Sequence, residues 1–192
     1  MTDELGERIK TQYENRTRIL LPRRTYTIIR LDGKAFHTYT RGLKKPFDEQ
    51  LFEDMDDAII EMMSQIQGAQ FAYTKSDEIS VLVTDFDKPN TDAWFDGNIQ
   101  KITSVAASII TAEFNKLRWK RDYEFCRNAG LELSLENRKV LKIDWTKIPT
   151  AYFDARTFTI PDRTEVMNYF VWRNQDCACI KIGSRYFCPV YF

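Results

Sequence analysis

Histidine is almost missing from this chain, with His37 the only one among 192 residues. One imidazole by itself makes neither a His-based metal site nor a nucleophile triad. Cysteine is sparse and badly spaced for metal. Cys126, Cys177, Cys179 and Cys188 offer a single C-x-C and no second pair, so zinc is excluded and free thiols in a reducing compartment are expected. No run of eighteen apolar residues exists, and the N-terminus is charged without a hydrophobic signal core. These two absences predict a soluble, cytoplasmic protein with no membrane partner. Net charge is also absent, since 28 basic residues balance 28 acidic ones. Any contact with nucleic acid must then come from a local patch or an assembled oligomer rather than from a global field. Internal repeats and low-complexity tracts are lacking too.

What remains is ample core material. Hydrophobic residues make up 43% and aromatic residues 14%, enough for one generous domain. A charged helix is predicted over residues 4–18, with Leu5, Ile9 and Tyr13 along one side, stopped by Pro22. The β-branched and aromatic run Tyr26–Leu31 predicts a strand. Leu51, Met55, Ile59, Met62 and Ile66 recur at helical spacing after Pro46-Phe47-Asp48, and Gly68 closes that helix. Phe71–Tyr73 and Ile79–Thr84 read as two strands joined by a short acidic turn. A second long helix follows from about Ala93 to Leu117, with Phe95, Ile99, Ile102, Ala106 and Ile109 as its buried face. Residues 118–148 read as an insertion or peripheral helical segment. A strand over Thr150–Thr159 and a helix over Glu165–Gln175 complete the pattern, in which Phe153, Tyr169 and Trp172 are core.

Strand, helix, two strands, helix, strand is the β-α-β-β-α-β order of an α+β ferredoxin-like fold, with helices packed on an antiparallel sheet. That topology can bring two acidic strand ends together. The first is Leu31-Asp32-Gly33-Lys34, with a glycine that allows close backbone approach, and the second is Ser76-Asp77-Glu78. Neighbouring carboxylates there could share two divalent cations, the arrangement that suits phosphoryl and nucleotidyl transfer. Two ordinary acidic turns fit the pattern equally well. Lys101, Ser104 and Ser108 share another helical face, either aimed at phosphate or simply a polar flank. Arg8, Lys10, Arg16, Arg18, Arg23 and Arg24, with Arg41, Lys44 and Lys45, form a basic patch that reads either as RNA contact or as solvated surface.

Four separated stretches narrow these alternatives. Arg30–His37, Tyr73–Ser80, Phe153-Asp154-Ala155-Arg156 and Trp172-Arg173-Asn174-Gln175-Asp176 resemble, in order, the motifs of the tRNA-His guanylyltransferase family. Lys45-Pro46-Phe47-Asp48-Glu49 and Ala93-Trp94-Phe95-Asp96 resemble its bacterial and phage branch. The resemblance implies a polymerase- or cyclase-type palm that adds nucleotides to tRNA 5′ ends in the 3′-to-5′ direction, using ATP and GTP. It implies that Asp32, Gly33 and Asp77 hold two Mg²⁺ ions and that Glu78 orients the site. It implies further that Lys34, Ala35, Phe36 and His37 wrap the triphosphate, with Ser76 beside it and Lys101 near the phosphates. Arg41, Lys44 and Lys45 would guide the RNA, and a tetramer is the implied assembly. Residues 1–176 would form the palm. Residues 177–192 depart from the family pattern and fit a truncated or frameshifted tail or a short natural variant. Nucleotide binding without polymerisation and a palm-type cyclase are the alternative functions.

Overall fold

The computed structural model describes residues 3–44, 48–128, 149–176 and 184–187. Its elements are α1 (Glu4–Gln12), β1 (Tyr26–Gly33), α2 (Phe36–Tyr39), α3 (Glu49–Gln65), β2 (Ala69–Lys75), β3 (Glu78–Val83), α4 (Ile99–Asn128), β4 (Phe153–Ile160), α5 (Arg163–Asp176) and β5 (Ser184–Phe187). Single turns of 3-10 helix at Glu14–Thr17 and Trp94–Gly97 precede β1 and α4. Aspartates set several helix starts by accepting orphan backbone N–H groups. Asp48 accepts from Leu51 at 2.9 Å, and Asp162 accepts from Thr164 at 2.8 Å.

The sheet order is β4-β1-β3-β2-β5, with every described pairing antiparallel. Its first four strands have the order that the β-α-β-β-α-β reading requires. Helices α3 and α4 cover one face. Ile29, Leu31, Ile79, Val81 and Val83 meet Met55, Ile59, Met62, Ile102, Ala106, Ile110 and Phe114 there, all buried. Helix α5 covers the other face. Tyr169 hydrogen-bonds Ser80 hydroxyl to hydroxyl at 2.8 Å, and Phe170 meets Phe71 edge-on with ring centroids 5.0 Å apart.

Several boundaries differ from the sequence reading. The first helix stops at Gln12 and breaks into a 3-10 turn, leaving Leu5, Ile9 and Tyr13 exposed. Phe95 and Asp96 take left-handed φ of +49° and +54°, so the helix begins afresh at Ile99. Phe95 is exposed as a result, and the buried face of α4 is Ile102, Ala106, Ile110 and Phe114, a strict four-residue repeat. Residues 118–128 continue α4 rather than leaving it. Arg118 and Arg121 from this stretch both bond the buried Asp54 of α3, which locks the two helices together. Residues 129–148 lie outside the described residues. The short strand β5 pairs β2 at the sheet edge, where the sequence offered no strand, and the rest of the 177–192 segment lies outside the described residues.

Candidate active site

Hydrogen bonding on both sides of β1 brings the two acidic tips together. Leu31 pairs Ile79 on β3, which brings Asp32, next to last in its strand, alongside Glu78, while Asp32 itself pairs Asp154 on β4. The β2–β3 turn then lays Asp77 over Gly33. A Cβ built on Gly33 would stand 2.9 Å from both the Cβ and Oδ2 of Asp77, and 2.6 Å from the Phe36 ring. Only glycine leaves that space, because a real side chain would displace the carboxylate or the ring. Ser76 shapes the turn with a φ of +57°.

Burial and mutual repulsion dominate the electrostatics of the two aspartates at the tip. Burial raises the pKa of Asp77 above its ordinary range, with Ser76 opposing and Asp32 and Glu78 adding repulsion. Burial also raises the pKa of Asp32, helped by Glu78 and Asp154 and opposed by Arg30 and Arg156. A hard divalent cation relieves such repulsion. Mg²⁺ characteristically takes one or two protein carboxylates and completes its shell with water and phosphate oxygens. No group of three or more His, Cys, Asp or Glu side chains that could hold a metal occurs among the described residues. The donor set therefore fits Mg²⁺ shared with a nucleotide rather than an all-protein cage.

Glu78 is differently employed. Its Oε1 accepts from Arg173 Nε at 2.6 Å, and its Oε2 accepts from Arg173 Nη2 at 2.6 Å and from Arg30 at 2.5 Å. Both oxygens are engaged by guanidinium groups, so Glu78 braces the turn that carries Asp77. Arg173 reaches Glu78 from 95 residues further along the chain, on another element.

The other expected nucleotide residues separate into two groups. Lys34, Ala35, Phe36 and His37 follow the tip directly. Ala35 takes φ +51° and opens α2, leaving the Phe36 and His37 N–H groups as first-turn donors without acceptors inside the helix. The Lys34 N–H is already committed to the Tyr152 carbonyl at 2.7 Å, and the Phe36 ring is core, stacked on Tyr39. Beyond that ring and the Lys34 N–H, the segment presents the first turn of α2 and the exposed Lys34 and His37 side chains.

Lys101 is not part of this group. Thr111 marks the level of the tip, since its hydroxyl accepts from Phe153 N–H opposite Gly33. Lys101 lies ten residues earlier on α4, about 15 Å along the axis, with its ammonium 6.0 Å from the Phe95 ring centroid. Ser104 and Ser108 donate to carbonyls one turn back, as an ordinary polar flank does. Arg41 and Lys44 are exposed after α2, and Lys45 lies outside the described residues. Trp172, read as core, is 49% exposed and carries the Arg173 guanidinium on its ring at 4.5 Å. Asp154 had no assigned role. It lies in the Phe153–Arg156 stretch, and only the β1–β4 register sets it opposite Asp32.

Comparison with known proteins decides the family. The model described as tRNAHis guanylyltransferase matches residues 6–161. The chain belongs to the tRNA(His) guanylyltransferase (Thg1) family. The tRNA(His) guanylyltransferase of Debaryomyces hansenii is 30% identical over 168 residues, covering 86% of this chain and 54% of that protein. A bacterial tRNA(His) guanylyltransferase (Thg1)-like protein solved in complex with ATP is 40% identical with a TM-score of 0.73, covering 90% of this chain and 65% of that one. The corresponding complex with GTP is 41% identical with a TM-score of 0.72, covering 91% and 66%. This Thg1-family chain spans about half the length of the yeast relative it matches.

Proposed function

We propose that this chain is a Mg²⁺-dependent nucleotidyltransferase that adds nucleotides to the 5′ end of tRNA in the 3′-to-5′ direction, repairing or guanylylating that end. The observation that carries the reading is Asp77 seated against the side-chain-free Gly33 beside Asp32. Membership of the Thg1 family and the ATP- and GTP-bound structures of similar proteins support it.

In the proposed reaction the 3′ oxygen of an incoming nucleotide bonds to the 5′ phosphorus of the RNA. The bond from that phosphorus to pyrophosphate, or to AMP after activation by ATP, breaks, and the hydroxyl proton passes to solvent. Asp32 and Asp77 are the residues that would hold Mg²⁺, which when bound supplies charge neutralisation on the phosphoryl oxygens. The chain's own work is positioning. Gly33 lets Asp77 close on β1, Ser76 gives the turn its left-handed bend, and Glu78 anchors the turn to Arg173. The first-turn N–H groups of Phe36 and His37, with Lys34, face the triphosphate. A cytoplasmic homo-oligomer, tetrameric by the family resemblance, is part of the proposal.

The test is incubation with MgCl₂, ATP, GTP and a 5′-truncated tRNA. Extension of the 5′ end, lost in Asp77→Asn and Asp32→Asn, is the expected result. GTP binding without extension, or a cyclic nucleotide formed without RNA, overturns it.

A further inference from the structure

Beside the carboxylate tip an aromatic ring is displayed on an immobile piece of backbone. Ala151 and Phe153 are buried at 2% and 7% exposure, while Tyr152 between them is 56% exposed. Single exposed aromatics are common and need no explanation. What distinguishes Tyr152 is how firmly its backbone is held. The buried Asn115 side chain brackets Ala151, donating from Nδ2 to its carbonyl at 2.8 Å and accepting from its N–H at 2.9 Å. Phe153 N–H donates to the Thr111 hydroxyl at 3.2 Å, and the Tyr152 carbonyl accepts from Lys34 N–H at 2.7 Å. Four hydrogen bonds thus fix Ala151, Tyr152 and Phe153, where the chain enters β4.

The register sets the direction of the ring. Asp32 pairs Asp154 and Gly33 pairs Phe153, and the Lys34–Tyr152 bond extends this ladder by one rung. Tyr152 therefore stands on the sheet face that carries Asp32 and Asp154. It is two residues beyond Asp154, about 7 Å of strand rise. The Lys34 ammonium lies 6.0 Å from the ring centroid. A flat apolar ring, a cation beside it and an acidic metal-fitting pair one step away match the base, phosphate and metal of a nucleotide. Tyrosine suits the task because its ring offers a large contact area with few rotamers to freeze.

We propose that Tyr152 is a stacking platform for a nucleobase at the tip, with Lys34 meeting the adjoining phosphate. The inference rests on the nucleotide reading of the Asp32–Asp77 site. Every base has a π face, so the platform holds a base without choosing among them. The shared chemistry is the base itself. Its source is either the incoming triphosphate or the 5′-terminal nucleotide of the RNA.

Two fluorescent probes separate these sources: 2-aminopurine riboside triphosphate, and a 5′-truncated tRNA carrying 2-aminopurine at its 5′ terminus. Each is titrated with Mg²⁺ into wild type, Tyr152→Ala, Tyr152→Phe and Tyr152→Trp. In wild type the bound probe is quenched by stacking. Tyr152→Ala is expected to lose the quench and weaken binding about tenfold for one probe, which identifies the source. The Phe and Trp variants retain binding within about twofold. Thermal unfolding of Tyr152→Ala matches wild type, because the ring is exposed. Equal quenching by wild type and Tyr152→Ala in both arms overturns the platform alone. Failure of wild type to bind either probe overturns the platform and the nucleotide reading together.

Discussion

Glu78 and Arg173 face each other through two nitrogen–oxygen contacts of 2.6 Å, joining the β2–β3 turn to helix α5. The Arg173 side chain is 6% exposed and that of Glu78 is 17% exposed. Removing one partner of such a pair strands a desolvated charge, which costs about 3 kcal/mol. Arg173→Ala should lower the stability measured by urea unfolding by that order. Arg173→Lys keeps the charge but loses the planar fork, and should recover part of the loss.

Gly33→Ala should act on catalysis and on folding, since its Cβ would also meet the buried Phe36 ring at 2.6 Å. Its Cβ would meet Asp77 at 2.9 Å, so the carboxylate must move by a fraction of an ångström or more. Misplacement of that size costs roughly 10²-fold in rate. Single-turnover extension of a 5′-truncated tRNA checks this, with urea unfolding as the companion measurement.

Asp77→Asn should abolish extension and yet stabilise the metal-free protein near neutral pH. Burial raises the pKa of Asp77 in the folded state above the ordinary 3.8. A raised carboxyl stabilises the fold most below its unfolded value and loses that contribution as pH rises through the folded value. The ionised group is then an unfavourable passenger. Melting curves should show the variant above wild type at pH 7, with the gap closing as pH falls below about 4. Added MgCl₂ should raise the wild-type Tm and leave the variant unmoved.

Lys101→Ala should leave the KM for GTP within about twofold of wild type, since the about 15 Å along α4 exceeds the reach of the side chain. A tenfold rise in KM would contradict this placement.

Asp54→Asn should destabilise without touching nucleotide binding. The Asp54 side chain is 1% exposed and answers both Arg118 and Arg121. Without it, Arg118 loses the Asp54 carboxylate and Arg121 is left with the exposed Glu53, a loss of about 3 kcal/mol. Chemical unfolding and GTP titration together separate the two effects.

Local pattern carried much of the fold. The repeat from Leu51 to Ile66 made α3 readable, and alternation with β-branched residues made β1 and β3 readable, because these periods are set by backbone geometry. The face of α4 was misjudged at Phe95 because a left-handed pair of residues resets the helical phase, and no periodicity reports a φ angle. Asp32, Gly33 and Asp77 were recognisable as short motifs. The partners of Glu78 and Asp54 were not, lying 95 and 64 residues away and depending on tertiary packing alone. Tyr152 escaped notice because its interest lies in how its neighbours are pinned.

Strand β1 is laddered on both edges, with eight paired positions against β4 and five against β3. A strand so held has no slack to absorb a change in length. Deleting one residue between Thr27 and Leu31 would turn each later side chain to the opposite face and carry Asp32 away from Asp154 and Glu78. The turn Thr40–Lys44, part-exposed and outside the described sheet pairings, is less constrained. Insertions and deletions in this chain should therefore be borne in that turn and rejected in β1, so that the spacing from Tyr26 to Gly33 is held as strictly as the identity of its acid.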